Sequence, residues 1–140
     1  MALVLRKDAK IELMRTVPLF SQCTKRELGT IASVADLIDV PEGTRLVTEG
    51  GLGRDFMIIV EGEAEVRRGG RKINTLSDGD FFGEVAVIIE GPRIASVTTT
   101  APTLLLVVRE SAFWSVLEEI PSIQIRILKA LAERVRPLVI

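Results

Sequence analysis

Glu84 and Arg93 are the residues of this chain best placed to do chemistry. They stand nine positions apart, with Gly83 just before the first, in a run (Phe82 to Val97) that is otherwise almost wholly apolar. Isolated charges in such a run are costly to bury unless something pairs with them. Arg93 can grip a phosphate with two parallel hydrogen bonds. Glu84, acceptor-only when ionised, suits hydroxyl donors. Gly83 permits close backbone approach or a positive φ. Val85 to Ile89 can form one helical turn, whose free N–H groups attract anions. The ligand implied carries a singly charged phosphate and a neighbouring hydroxyl on a flat or apolar body. One acid and one base nine apart also fit an internal ion pair, and the residues alone leave both readings open.

Other chemistries find little to work with. The 140 residues contain no His, so Ser-His or Cys-His nucleophiles and His-based metal centres cannot be built. No acidic cluster suggests a magnesium site, and neither cofactor nor metal is expected. The single Cys23 reads as a structural thiol of a reducing compartment. With 18 basic and 19 acidic residues, a net charge of -1 gives no argument for direct nucleic-acid binding. No signal peptide and no apolar run long enough for a membrane span are visible, so a cytoplasmic protein is expected.

The elements that must hold these residues follow from periodicity. At 140 residues and 47% hydrophobic content, one globular domain over 1-140 is expected. Residues 1-35 read as a helical lead-in. Ile11 and Met14 share a face, Val17-Pro18 ends that segment, and Thr24 with Glu27 forms a capping box. Leu28, Ile31, Ala32 and Ala35 supply the apolar side of the second helix.

Residues 36-108 switch to short strands with turn punctuation. Leu37 to Val40, Arg45 to Thr48, Phe56 to Val60, Ala64 to Arg68, Arg71 to Leu76, Ala95 to Thr100 and Leu104 to Val108 are the clearest. Gly69-Gly70 is a hairpin signal, and Glu49 to Asp55 a Gly-rich loop. About eight strands at this spacing predict a mainly β fold, an eight-stranded double-sheet jelly-roll barrel. Residues 109-140 return to helical period in two C-terminal helices. Phe113 to Ile120 forms the first. Ser122 is expected to cap the second, Ile123, Ile127, Leu131 and Val135 to form its stripe, and Pro137 to stop it. Ile125, Leu128 and Ala132 widen the stripe, so the helix should pack against two things. The end Leu138-Val139-Ile140 is apolar to the last residue, which points to a partner or to a longer chain.

In this setting the segment resembles the phosphate-binding cassette of cyclic nucleotide-binding domains, as in cAMP-dependent protein kinase regulatory subunits, bacterial catabolite activators and cyclic nucleotide-gated channels. The cassette is Phe82-Gly83-Glu84, an apolar turn, then Pro92-Arg93, with the Glu-to-Arg interval ungapped. The resemblance extends to Pro41-x-Gly43, Glu49-Gly50, Phe56-x-Ile58-Ile59-x-x-Gly62, Gly79-Asp80 and the two closing helices. It implies that Arg93 and the Ile94 N–H hold the cyclic phosphate. Glu84 would accept the ribose 2′-hydroxyl, with Gly83 and Ala95 close by. Val66, Leu76, Phe82, Val85 and Ala86 would line the pocket, and Arg134 would cover the base.

Ile94 departs from the Ala, Ser or Thr usual in the family. A Thr there is associated with cGMP preference, so Ile94 leans towards cAMP ahead of cGMP, while its bulk crowds the pocket. The lack of Tyr, and of Trp near the middle of the last helix, argues against an aromatic lid. The implied function is a non-enzymatic sensor that binds cAMP and relays it by movement of the C-terminal helix, to an effector domain or a second copy. The alternative is a degenerate fold that serves protein interaction without nucleotide. An enzyme on a related barrel is disfavoured by the missing His. No helix-turn-helix, kinase or channel segment accompanies the module, so this chain is not expected to be a complete transcription factor of the catabolite type.

Overall fold

The structure is a computed structural model describing residues 2–3, 6–89 and 91–138. Two antiparallel sheets face each other. One carries, in spatial order, β1 (Ala2–Leu3), β2 (Ala35–Val40), β9 (Thr103–Val108), β4 (Phe56–Glu61) and β7 (Phe81–Phe82). The other carries β3 (Arg45–Val47), β8 (Ser96–Thr99), β5 (Ala64–Arg68) and β6 (Arg71–Leu76). The eight strands between Ala35 and Val108 make the double-sheet barrel predicted above; β1 is a further, two-residue strand on its edge.

Residue alternation explains why β4 and β9 read as unbroken apolar runs. Ile58, Leu106 and Val108 point to one side, into a core shared with Met14, Leu28, Ile31, Phe113 and Ile127 of the helices. Ile59, Leu105 and Val107 point to the other side, into the barrel, against Val47, Ala64, Phe82 and Val97. Both faces of these strands are therefore covered. Ile58 and Ile59 are each 0% exposed, worth about 1.5–3 kcal/mol of burial per side chain. The second sheet has solvent on its far side, so β6 is exposed from Arg71 to Thr75 and buried only at Leu76.

The helices wrap the first sheet. α1 (Lys7–Met14) buries Ile11 and Met14 as expected. α2 (Lys25–Val34) starts on the predicted capping box: Thr24 Oγ1 accepts from the Glu27 N–H at 3.1 Å, and the Thr24 N–H donates to Glu27 Oε1 at 2.8 Å. It ends one residue short of the expected stripe. Ala35 is buried, but as the first residue of β2 opposite Val108, because sheet pairing captures it. Cys23 is half-buried against this core, and burial pushes its thiol pKa up, as suits a structural thiol.

α3 is the short helix Glu84–Ile88, and α4 (Glu110–Glu119) buries Phe113 and Val116. α5 runs Pro121–Val135. Ser122 does not cap α5: Ile120 is the N-cap residue and Pro121 takes the first helical position, where its fixed φ suits the helix and its missing N–H costs nothing. Ile123 and Ile127 are buried, whereas Ile125 and Leu128 are 53% and 65% exposed, so this chain covers only one of the two apolar sides. Past α5 the chain tightens into a 3-10 turn, Arg136–Leu138, at Pro137. Val139 and Ile140 lie outside the described residues. No helix among the described residues is long and apolar enough to cross a membrane.

Candidate functional site

β7 ends in Phe82, and the chain then reverses through Gly83 at φ 96° into α3. Only glycine fits here: the φ is left-handed, and a Cβ would run into the Asp55 carbonyl oxygen. This turn drops Glu84 into the interior at 1% exposure.

Arg93 arrives from the other side of the loop and is 7% exposed. Its backbone is clamped by the Gly-rich loop: its N–H donates to Gly51 O and its C=O accepts from the Gly50 N–H, both at 2.8 Å. Its side chain donates to Asp55 O at 3.0 Å (Nη2) and Gly83 O at 3.4 Å (Nη1). The loop from Glu49 to Asp55, which carried no chemistry in the sequence reading, is thus the support that aims the guanidinium. A backbone carbonyl leaves no side-chain signature, so only the glycines marked the place.

Glu84 and Arg93 come together on one cavity but are not each other's ion-pair partner. Glu84 Oε1 is paired with Arg134 of α5, while Glu84 Oε2 is buried without a hydrogen bond. Arg134 also donates to Phe81 O at 2.7 Å and lies 5.1 Å from the centre of the Phe81 ring. Burial pushes the Glu84 carboxyl above its usual pKa, against the pull of Arg134, its own backbone N–H and Arg93. Burial likewise lowers the pKa of Arg93, against Asp55 and Glu84. Both shifts have the same origin: each charge is held out of water with incomplete compensation. A buried guanidinium that meets only carbonyls can take an anion, and a buried carboxylate oxygen without a donor can take a hydroxyl.

The cavity measures about 370 Å³ and is mostly apolar. Of the residues singled out in the sequence, Phe82, Gly83, Glu84, Val85, Arg93, Ile94, Ala95, Val66, Leu76 and Arg134 border it. For Ala86, the side chain lies outside the described residues. Ile94 is 52% exposed at the rim, so its bulk meets solvent as well as the cavity. Arg134 is placed on the Glu84 carboxylate and the Phe81 carbonyl. The sequence reading did not foresee seven further bordering residues: Val47, Arg68, Ile73, Asn74, Val97, Leu131 and Val135. The last two stand on the α5 stripe, and nothing in their spacing separates a helix packed on a core from one closing a cavity.

A two-sheet barrel with a helical lid, a buried arginine and a buried glutamate on one cavity defines a small-ligand-binding module. The family model for the cyclic nucleotide-binding domain matches residues 37–120, and the chain belongs to that family. Among curated proteins, the cAMP-dependent protein kinase regulatory subunit of Mycosarcoma maydis is 36% identical over 96 residues, 66% of this chain and 18% of that protein. The regulatory domain of Toxoplasma gondii PKA, in a co-crystal structure with cAMP, is similar with a TM-score of 0.78 and 25% identity, covering 91% of this chain and 50% of that one. The Thermus thermophilus catabolite activator protein follows at TM-score 0.77 and 26% identity, over 86% of this chain and 59% of that one. The chain thus spans well under two thirds of each of these proteins.

Proposed function

We propose that this chain is a regulatory sensor module that binds cAMP, ahead of cGMP, in the cavity beneath α5. The observation that carries the reading is the pair of buried, under-compensated charges on one cavity wall, Arg93 with carbonyls alone and Glu84 with an unpartnered Oε2. Arg93, with the Ile94 N–H, holds the cyclic phosphate. Glu84 Oε2 accepts the ribose 2′-hydroxyl, Gly83 lets the ligand approach the backbone, and Val66, Leu76, Phe82, Val85 and Ala95 form the apolar wall. A likeness to a regulatory domain crystallised with cAMP supports the choice of ligand. So does Ile94, which has no hydroxyl to offer a guanine amino group.

The relay runs through α5. Leu131, Arg134 and Val135 border the cavity, so a bound ligand changes what the helix touches and shifts its equilibrium position. The exposed Ile125 and Leu128 on the same helix offer a surface to an effector domain or a second copy. The module acts by binding rather than catalysis, consistent with a chain that lacks any imidazole base. Calorimetry with cAMP and with cGMP tests the reading. Heat and a thermal shift with cAMP exceeding those with cGMP are expected; neither signal with either nucleotide would overturn it.

A further inference from the structure

Among the described residues, three cations and one anion border the cavity: Arg68, Arg93 and Arg134 against Glu84. Glu84 and Arg134 answer each other. Arg93 and Arg68 are left, and each is hydrogen-bonded to backbone carbonyls rather than to a carboxylate among the described residues. Arg67, next to Arg68 in the chain, is paired instead with Glu65 at 2.7 Å. The mostly apolar cavity therefore carries two positive charges without a paired carboxylate, one more than a singly charged phosphate on Arg93 would call for.

Two features of the fold set Arg68 beside Arg93. The first is strand alternation. Ala64 and Val66 of β5 face the barrel interior, opposite Thr99 and Val97 of β8 in an unbroken register, and Arg68 is the next residue on that face. The second is the Gly-rich loop. Glu49 Oε1 accepts from the Gly69 N–H at 2.9 Å, and the following residue, Gly50, donates its N–H to the Arg93 carbonyl at 2.8 Å. One dipeptide thus holds both the end of β5 and the segment that carries Arg93. Arg68 Nε completes the arrangement by donating to Ile94 O at 3.1 Å. That bond orients the planar guanidinium and leaves its forked Nη end available beside the same segment. An arginine that served only solubility would need neither the inward position nor the fixed Nε.

We propose that Arg68 is a second phosphate-binding residue, which takes the exocyclic oxygen of the cyclic phosphate that Arg93 leaves free. This rests on the cyclic-nucleotide reading above and adds to it a contact from β5. A cyclic phosphodiester spreads one negative charge over two exocyclic oxygens. Arg93, buried and set on the Asp55 and Gly83 carbonyls, meets the phosphate from within. Arg68, exposed at the rim, meets it from the mouth of the cavity. Its contribution is the smaller of the two, because water screens an exposed charge. Oxygens gripped by separate guanidiniums are no longer equivalent. Sulfur is a larger and poorer acceptor, so placing it at one oxygen weakens the contact on that side alone.

The test is calorimetry on the 140-residue chain and on Arg68→Ala with cAMP and with its Rp and Sp phosphorothioate analogues, in which sulfur replaces one exocyclic oxygen or the other. The substitution should weaken cAMP binding by roughly three- to thirtyfold. It should weaken one diastereomer about as much. The other, whose sulfur already disrupts the Arg68 contact, should lose much less, so the Rp-to-Sp affinity ratio shifts. The melting temperature without ligand should change little, because the side chain is exposed. Nucleotide binding by the native chain with affinity and ratio both unaltered in Arg68→Ala would overturn the assignment of Arg68 alone. Weaker binding at an unaltered ratio would also overturn it, by showing that Arg68 acts only through the Ile94 carbonyl. Failure of the native chain to bind any of the three would overturn the sensor reading, and this assignment with it.

Discussion

Arg134, on the closing helix, donates through Nη1 to Oε1 of Glu84, fifty residues earlier at the start of α3. This contact joins the lid to the cavity floor. Glu84 is 2% exposed in its side chain and Arg134 40%, so the carboxylate is committed to the interior while its cation stays half in water. The Phe81 carbonyl and ring hold the guanidinium in place.

Removing the cation should leave the carboxylate stranded. Arg134→Ala is expected to destabilise the ligand-free protein by about 1–3 kcal/mol, below the usual cost of breaking a fully buried pair because Arg134 is partly solvated. Glu84→Gln should recover most of that loss in the double variant. Urea denaturation of the four proteins measures the coupling; additive effects would show that the contact does not hold α5 down. Hydrogen exchange in residues 121–135 should also rise in Arg134→Ala.

Arg93→Ala should weaken cAMP binding by roughly 1.5–3 kcal/mol or more, since charge-assisted hydrogen bonds to the phosphate are lost. That corresponds to about ten- to a hundredfold in Kd by titration calorimetry. Equal affinity in both proteins would assign Arg93 to holding Asp55 and Gly83 alone.

Ionisation of Glu84 gives a pH dependence with a definite sign. Burial holds its folded pKa above the ordinary carboxylate value. Between the unfolded and folded values the folded state binds the extra proton, so stability falls as pH rises through that window. Glu84→Gln removes this loss. The stability of Glu84→Gln relative to the native chain should therefore increase from about pH 4 upward and level off above the raised pKa, as read from melting curves. The same variant should narrow the preference for cAMP over 2′-deoxy-cAMP.

Ile94→Thr puts a hydroxyl at the rim beside Arg93. It should improve cGMP binding relative to cAMP in competition titrations. An unaltered ratio would remove position 94 from ligand selection and leave the choice of base to other wall residues.

Much of this molecule is written in local signals. The capping box at Thr24 and Glu27, the Gly69-Gly70 hairpin, the doubly covered runs of β4 and β9, and the turn from Gly83 into α3 each depend on residues close in sequence. Periodicity and turn chemistry act over that range. The strands β1 and β7, two residues each, escaped explicit reading because a period needs more residues to show itself.

The chain alone also determined that Glu84 and Arg93 are charges in an apolar setting, and so that something must compensate them. Tertiary structure decided what does. Arg93 is met by carbonyls of Asp55 and Gly83, which every residue carries and no sequence pattern marks. Glu84 is met by Arg134, whose place on a helix face looks the same whether it meets solvent or a carboxylate brought from fifty residues away. The physical reason is common to both. Burial and pairing are set by which surfaces the two sheets and α5 bring together, and that proximity has no counterpart in sequence spacing.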